Sequence, residues 1–110
     1  MSQVPNRTFN LITAAGAVTP NEFNSITASS ALALTLAAPT FDGQEATFID
    51  EGGHAHTLVC TGAGSPPTAG LNGGTTYNTL TFGGTKGDSC QLLSRNGFWY
   101  AYNLNGVTAS

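Results

Sequence analysis

Hydrophobic positions recur at every second residue along much of this chain, and that period predicts β-strands. The clearest case is A-L-A-L-T-L-A at residues 31–37, where Leu32, Leu34 and Leu36 share one face and small residues the other. Alanine favours helix, but the period is two and Pro39 ends the run. A turn at F-D-G (41–43) leads into Q-E-A-T-F-I-D (44–50), a second strand with Ala46, Phe48 and Asp50 on one side. E-G-G (51–53) then turns the chain into H-A-H-T-L-V-C-T. T-L-T-F (79–82) and S-C-Q-L-L-S (89–94) read as strands on either side of the turn G-G-T-K-G-D (83–88). R-N-G-F (95–98) is an Asn-Gly hairpin signal, F-W-Y-A-Y (98–102) its return strand, and L-N-G-V-T (104–108) closes the domain.

Other segments are less regular. F-N-L-I-T (9–13) begins a strand, but residues 1–12 as a whole read as an extended N-terminal arm ahead of one β domain, 13–110. T-P-N-E-F (19–23) has the residues of a helix start, with Thr19 as cap and Pro20 in the first position. The Ser-rich run that follows, N-S-I-T-A-S-S, does not sustain a helix, so one turn at most is expected. Residues 62–78 form a long Gly/Pro/Asn loop stiffened by Pro66 and Pro67. A shift of 46 residues lays Leu34-Thr35 on Leu80-Thr81, Asp42 on Asp88, and the E-G-G-H turn over R-N-G-F. Each half therefore repeats strand, turn, strand, turn, strand. The pattern predicts an all-β fold, a compact antiparallel sandwich or barrel.

Composition changes the picture in one respect. The 110 residues suffice for one domain, yet only 8% are charged, against about 25% in an ordinary soluble domain. Polarity comes from Thr, Ser, Asn and the backbone. With so little charge to keep copies apart, an assembly or a large docked surface fits the chain. The net charge is −3, and Arg7, Lys86 and Arg95 are scattered. They cannot build the phosphate-neutralising patch that nucleic-acid binding requires. Asp42, Glu45, Asp50 and Glu51 make one side mildly acidic. The longest apolar stretch, residues 31–39, is too short for a membrane helix, and M-S-Q-V-P-N-R-T-F-N lacks the pattern of a secretory signal. Cys60 and Cys90 are accordingly expected as free thiols.

The stretch that most suggests chemistry is G-G-H-A-H-T-L-V-C (52–60). In a regular strand His54, His56, Leu58 and Cys60 share a face, and H-x-H is a metal-ligand spacing. The cupin barrels use it with a following glutamate and a third histidine. Here T-L-V-C-T-G-A-G-S follows without a carboxylate, and the chain holds two histidines. The expectation is a turn residue at His54 and a strand residue at His56 that faces solvent or a neighbouring subunit. A buried His56 would need a hydrogen-bond partner. Cys60 reads as a small core hydrophobe, and the acids stand beside turns rather than as a hydrolytic pair. G-G-T-K-G-D lacks phosphate-loop spacing. No catalytic, cofactor-binding or metal-ligating residue is assigned. Trp99 alternates with Phe98, Tyr100 and Tyr102, so one set fills the core and the other meets a loop, a subunit interface or a glycan.

The stretches L-T-L-A-A-P-T-F-D-G-Q, G-G-H-A-H-T, L-T-F-G-G-T-K-G-D-S and L-L-S-R-N-G-F-W-Y together resemble small β domains of tailed-bacteriophage virions. The likeness covers roughly residues 30–107 and is strongest to capsid decoration, or cement, proteins, with related stretches in tail-fibre proteins. It implies a jelly-roll-like or β-tulip domain without catalytic activity or cofactor. Made in the host cytoplasm, such a protein coats the outer surface of the head and bridges subunits of the major capsid protein. It implies a homo-oligomer, a trimer first and a dimer as alternative, with no direct contact to nucleic acid or membrane. By the same resemblance Val4, Pro5, Arg7 and Phe9 of the arm, Pro66, Pro67 and Tyr77 of the loop, and Trp99 are the expected interface residues. A receptor- or glycan-binding tail module is the competing reading, with an aromatic site near Trp99 or Tyr77. A cupin-like metal enzyme is the remote one.

Overall fold

The computed structural model describes residues 9–20, 22–62, 68–72 and 77–110. These contain eleven strands and no helix. Sheet A takes β1 (Phe9–Ile12), β3 (Phe23–Ile26), β5 (Glu45–Asp50), β9 (Ser89–Arg95) and β10 (Phe98–Asn105), in that order across the sheet. Sheet B runs β11 (Val107–Ala109), β8 (Thr79–Phe82), β6 (Thr57–Gly62), β4 (Ala33–Leu36) and β2 (Gly16–Val18). The short β7 (Thr68–Ala69) pairs beside β6.

From β1 to β6 the chain changes sheet at every link. Neighbours within each sheet are therefore two strands apart in sequence, and they run parallel: β1 with β3, β3 with β5, β2 with β4, and β4 with β6. Parallel neighbours need a long crossover, usually a helix. Here the crossover is itself a strand of the opposite sheet. The last two turns of this coil share one spacing: Phe23 pairs with Thr47 and Ala33 with Thr57, an offset of 24 in both sheets (47 − 23 and 57 − 33). After β6 the pairing becomes antiparallel, β6 with β8, β8 with β11, β5 with β9, and β9 with β10.

The sheets are thus mixed, and the expected wholly antiparallel arrangement is corrected. Alternation marks which face of a strand is buried but says nothing of the direction of its neighbour. F-D-G and E-G-G were expected to turn between adjacent strands. Instead they lie in links of eight and six residues (37–44 and 51–56) that carry the chain between sheets. Among the described residues R-N-G-F makes a tight hairpin, with Asn96 at φ 53° and Gly97 at φ 82°, the two positive values that a type I′ turn requires. The 46-residue echo follows the fold for two strands, since β4 and β8 lie in sheet B and β5 and β9 in sheet A. It breaks at the third, where E-G-G-H crosses to sheet B and R-N-G-F stays in sheet A.

Burial follows the alternation. Leu34, Leu36, Leu58, Cys60, Leu80, Phe82 and Val107 of sheet B meet Ile12, Ile26, Ala46, Phe48, Cys90, Leu92 and Trp99 of sheet A in one core. Each large side chain fully buried there contributes about 1.5–3 kcal/mol. Of the expected arm, Phe9–Ile12 is a paired strand with Ile12 buried; residues 1–8 lie outside the described part. At 19–23, where one helical turn at most was expected, Asn21 lies outside the described residues and β3 begins at Phe23; its F-N-S-I shows no alternation because Asn24, Ser25 and Ile26 are all buried. The loop at 62–78 is anchored within its described part. Leu71 is buried and forms a bridge to Trp99, while the Leu71 N–H donates to the Tyr77 carbonyl at 3.1 Å.

Candidate functional site

The two histidines part company at the E-G-G-H link. His54 is half-buried and His56 wholly buried, both ahead of β6. His56 therefore faces the interior, not solvent or a neighbour, and has the partners that such a position demands. Its Nδ1 accepts the Leu32 N–H at 3.0 Å. The ring proton accordingly sits on Nε2, 3.3 Å from Asp50 Oδ1. Asp50, also at 0% exposure, closes the link by accepting the Gly53 N–H on Oδ1 at 2.8 Å and the His54 N–H on Oδ2 at 3.1 Å. Asp50 and His56 thus form a structural clasp. Both ring nitrogens of His56 are engaged, leaving no lone pair directed at a metal. Among the described residues no group of three His, Cys, Asp or Glu side chains is placed to hold one.

G-G-T-K-G-D packs against the same clasp. The Gly87 N–H donates to the Asp50 carbonyl and the Asp50 N–H to the Asp88 carbonyl, both at 2.8 Å. Asp88 caps its own turn by accepting the Thr85 N–H at 3.0 Å. A Cβ on Gly106, at φ +70°, would run into the Asp88 carboxylate. Expected as a turn between antiparallel strands, G-G-T-K-G-D is instead a link that carries the chain from β8 in sheet B to β9 in sheet A.

Cys60 and Cys90 are free, buried thiols that enter the core from opposite sheets. Burial pushes each pKa from 9.0 to about 12, so neither supplies a thiolate near neutrality.

The aromatic strand divides in the sense opposite to an interface at Trp99. Trp99 is 0% exposed and its Nε1–H donates to the Ala37 carbonyl at 3.0 Å. It is corrected from an interface or glycan residue to a core residue, because β10 turns its odd position inward beside Ser94. Tyr100 and Tyr102 are exposed instead. Of the other expected interface residues, Phe9 is 65% exposed and Tyr77 also lies open. Val4, Pro5, Arg7, Pro66 and Pro67 lie outside the described residues.

Register assembles a surface from these exposed positions. One row across the outer face of sheet A runs Phe9, Phe23, Thr47, Gln91, Tyr102, and the next Leu11, Ser25, Ile49, Ser89, Asn105. Glu45, Leu93 and Tyr100 form a third row, and Arg95 and Phe98 a fourth. Glu45 and Arg95 are the charges in these rows. Leu11 is 56% exposed, and Leu93, Tyr100 and Tyr102 are each exposed as well. The outer face of sheet B differs: its rows read Ala33, Thr57, Thr81, Thr108 and Ala17, Thr35, Val59, Thr79. One face is aromatic and leucine-rich, the other small and threonine-rich. Sequence reading found Phe9 but missed Leu11, Leu93 and the tyrosines as one surface, because cross-strand neighbours cannot be listed before the strand order is known. At the end of this face Pro20, Glu22, Phe41, Gly43, Gln44 and Glu45 line a shallow depression of about 330 Å³.

Comparison with models of known protein families gives no match, and comparison with curated proteins gives none either.

Proposed function

We propose that this chain is a non-enzymatic structural protein of a tailed-phage virion. It decorates the head and stabilises it by bridging subunits of the major capsid protein. The observation that carries the reading is the outer face of sheet A, where Phe9 and Leu11 of β1 and Leu93, Tyr100 and Tyr102 of β9 and β10 are exposed. Exposed aromatic and leucine side chains are of the kind that protein interfaces bury. A subunit that works by buried area and symmetry needs no activated side chain. Of the jelly-roll-like and β-tulip architectures implied by the resemblance, the jelly roll is the poorer fit. A jelly roll is an antiparallel design, and four strand pairs here run parallel.

Attachment to the lattice falls to residues 1–8, which continue from Phe9 at the edge of sheet A. Because Phe9–Ile12 is a strand, the informative deletion stops at residue 8. Purified chain lacking residues 2–8 should cosediment with undecorated phage heads more weakly than the full chain while keeping its melting temperature. Full-strength binding by the truncated chain would remove the arm from this role. The exposed pair Tyr100 and Tyr102 favours one second reading, a glycan-binding tail module. Saturable glycan binding that Tyr100→Ala abolishes, with no binding to heads, would support it.

A further inference from the structure

We infer that the depression at the end of sheet A is the seat of this chain's own Arg7, whose guanidinium lies between Glu22 and Glu45 and fixes the root of the N-terminal arm to the domain. The inference concerns where the arm is anchored and does not depend on what the arm reaches.

Register brings the residue to the place. β1, β3 and β5 run parallel, so all three begin at one end of sheet A. Phe9 is level with Phe23, and Phe23 with Thr47. Arg7 stands two positions before Phe9, and Glu45 two positions before Thr47. Continuing β1 backwards at this register sets position 7 level with Glu45, and the two-residue period sets it on the same face. The two backbones are then two strand spacings apart, about 10 Å. An arginine and a glutamate side chain together close that gap. The depression lies within it: Pro20 and Glu22 lead into β3, and Phe41, Gly43 and Gln44 lead into β5.

Charge selects the occupant. Among the described residues at this end, Glu22, Asp42 and Glu45 stand against one base, Arg95. Arg95 lies 3.8 Å from Asp42, so the depression beside them keeps a negative balance that favours a cation. The chain has three bases. Lys86 belongs to the turn that packs beside Gly53, at the far end of β5. Arg7 is the base that chain order delivers to the depression.

The lining suits a guanidinium in particular. Phe41 is 62% exposed in its wall, and an aromatic face beside carboxylates holds the flat arginine group better than the compact ammonium of lysine. A volume of about 330 Å³ admits one such group with part of its hydration. Seating Arg7 orders the root of the arm before the arm meets any partner, which lowers the entropy cost of binding.

An exposed ion pair stabilises a fold too little to move its melting temperature, so the test reads position. In nitrogen-resolved NMR of the full chain, Arg7→Ala should shift the amide signals of Gly43, Gln44 and Glu45 and leave those of Gly53 and Gly87 in place. Salt at 1 M, where the screening length falls to about 3 Å, should shift the first three in the native chain and not in Arg7→Ala. Trypsin cuts after Arg7 only when that side chain has left its seat. Residues 1–7 should therefore be released about threefold faster from the double variant Glu22→Gln, Glu45→Gln than from the native chain. Blue-shifted Trp99 emission shows that each variant is folded. Amide shifts confined to residues 8–11, or equal trypsin rates, would overturn the assignment. Shifts at Gly43, Gln44 and Glu45 that fade on dilution would place another copy's arginine there and overturn it as well. Cosedimentation with phage heads is a separate reading, so the decoration role and the Arg7 seat can fail independently.

Discussion

Asp50 and His56, neither reached by solvent, meet at 3.3 Å and hold the link that carries the chain from sheet A to sheet B. The geometry leaves little slack, because Asp50 also takes the Gly53 and His54 amides while His56 takes the Leu32 amide. Asp50→Ala strands the buried His56 Nε2–H and the half-buried Gly53 and His54 amides, and should cost about 3 kcal/mol. Asp50→Asn should cost about 2 kcal/mol, because its amide turns a donor toward an N–H. Chemical denaturation measures both. Added zinc should leave the melting temperature of the native chain unchanged, since both His56 ring nitrogens are committed.

Leu71 sits beside Trp99 and ties the long loop to the core. Leu71→Ala should lose about 2–5 kcal/mol of stability, as at other buried leucines. Trp99 emission should be blue-shifted in the native chain and move to the red on unfolding.

The thiols make a prediction at high pH. Their folded pKa values, raised to about 12 by burial, lie above the ordinary 9.0. The folded state therefore holds these protons more tightly than the unfolded chain does. The resulting stability is complete below pH 9 and is lost as pH rises from about 9 toward 12. Urea midpoints should fall over that window and fall less in Cys90→Ala, after allowance for its lower baseline. Native chain at neutral pH should resist alkylation that the unfolded chain undergoes at both cysteines.

Gly106 turns the chain from β10 to β11 with positive φ, and Asp88 occupies the space that a Cβ would need. Gly106→Ala should cost about 1–3 kcal/mol, measured by thermal denaturation.

The inward set was legible in the alternation of β4, β5, β6 and β9, and the Asn-Gly turn was legible from its two residues. Strand direction was not. F-D-G reads as a turn whether the next strand pairs beside its predecessor or crosses to the other sheet, and only tertiary packing separates the two. β3 escaped notice because buried Asn24 and Ser25 conceal its apolar character; Asn24 donates to the Thr47 carbonyl at 3.1 Å inside the sheet. His56 was visible as a residue in need of a partner, but Asp50, six positions earlier, became that partner through the conformation of the Gly-Gly link. The docking face depends on register between strands as distant in sequence as β1 and β10, so no local pattern could reveal it.

The most direct test of the decoration reading is electron microscopy of the source particle with gold-labelled antibody against this chain. The expected result is label in a regular array over the outer surface of the head. Label confined to the tail, or particles without label, would contradict it.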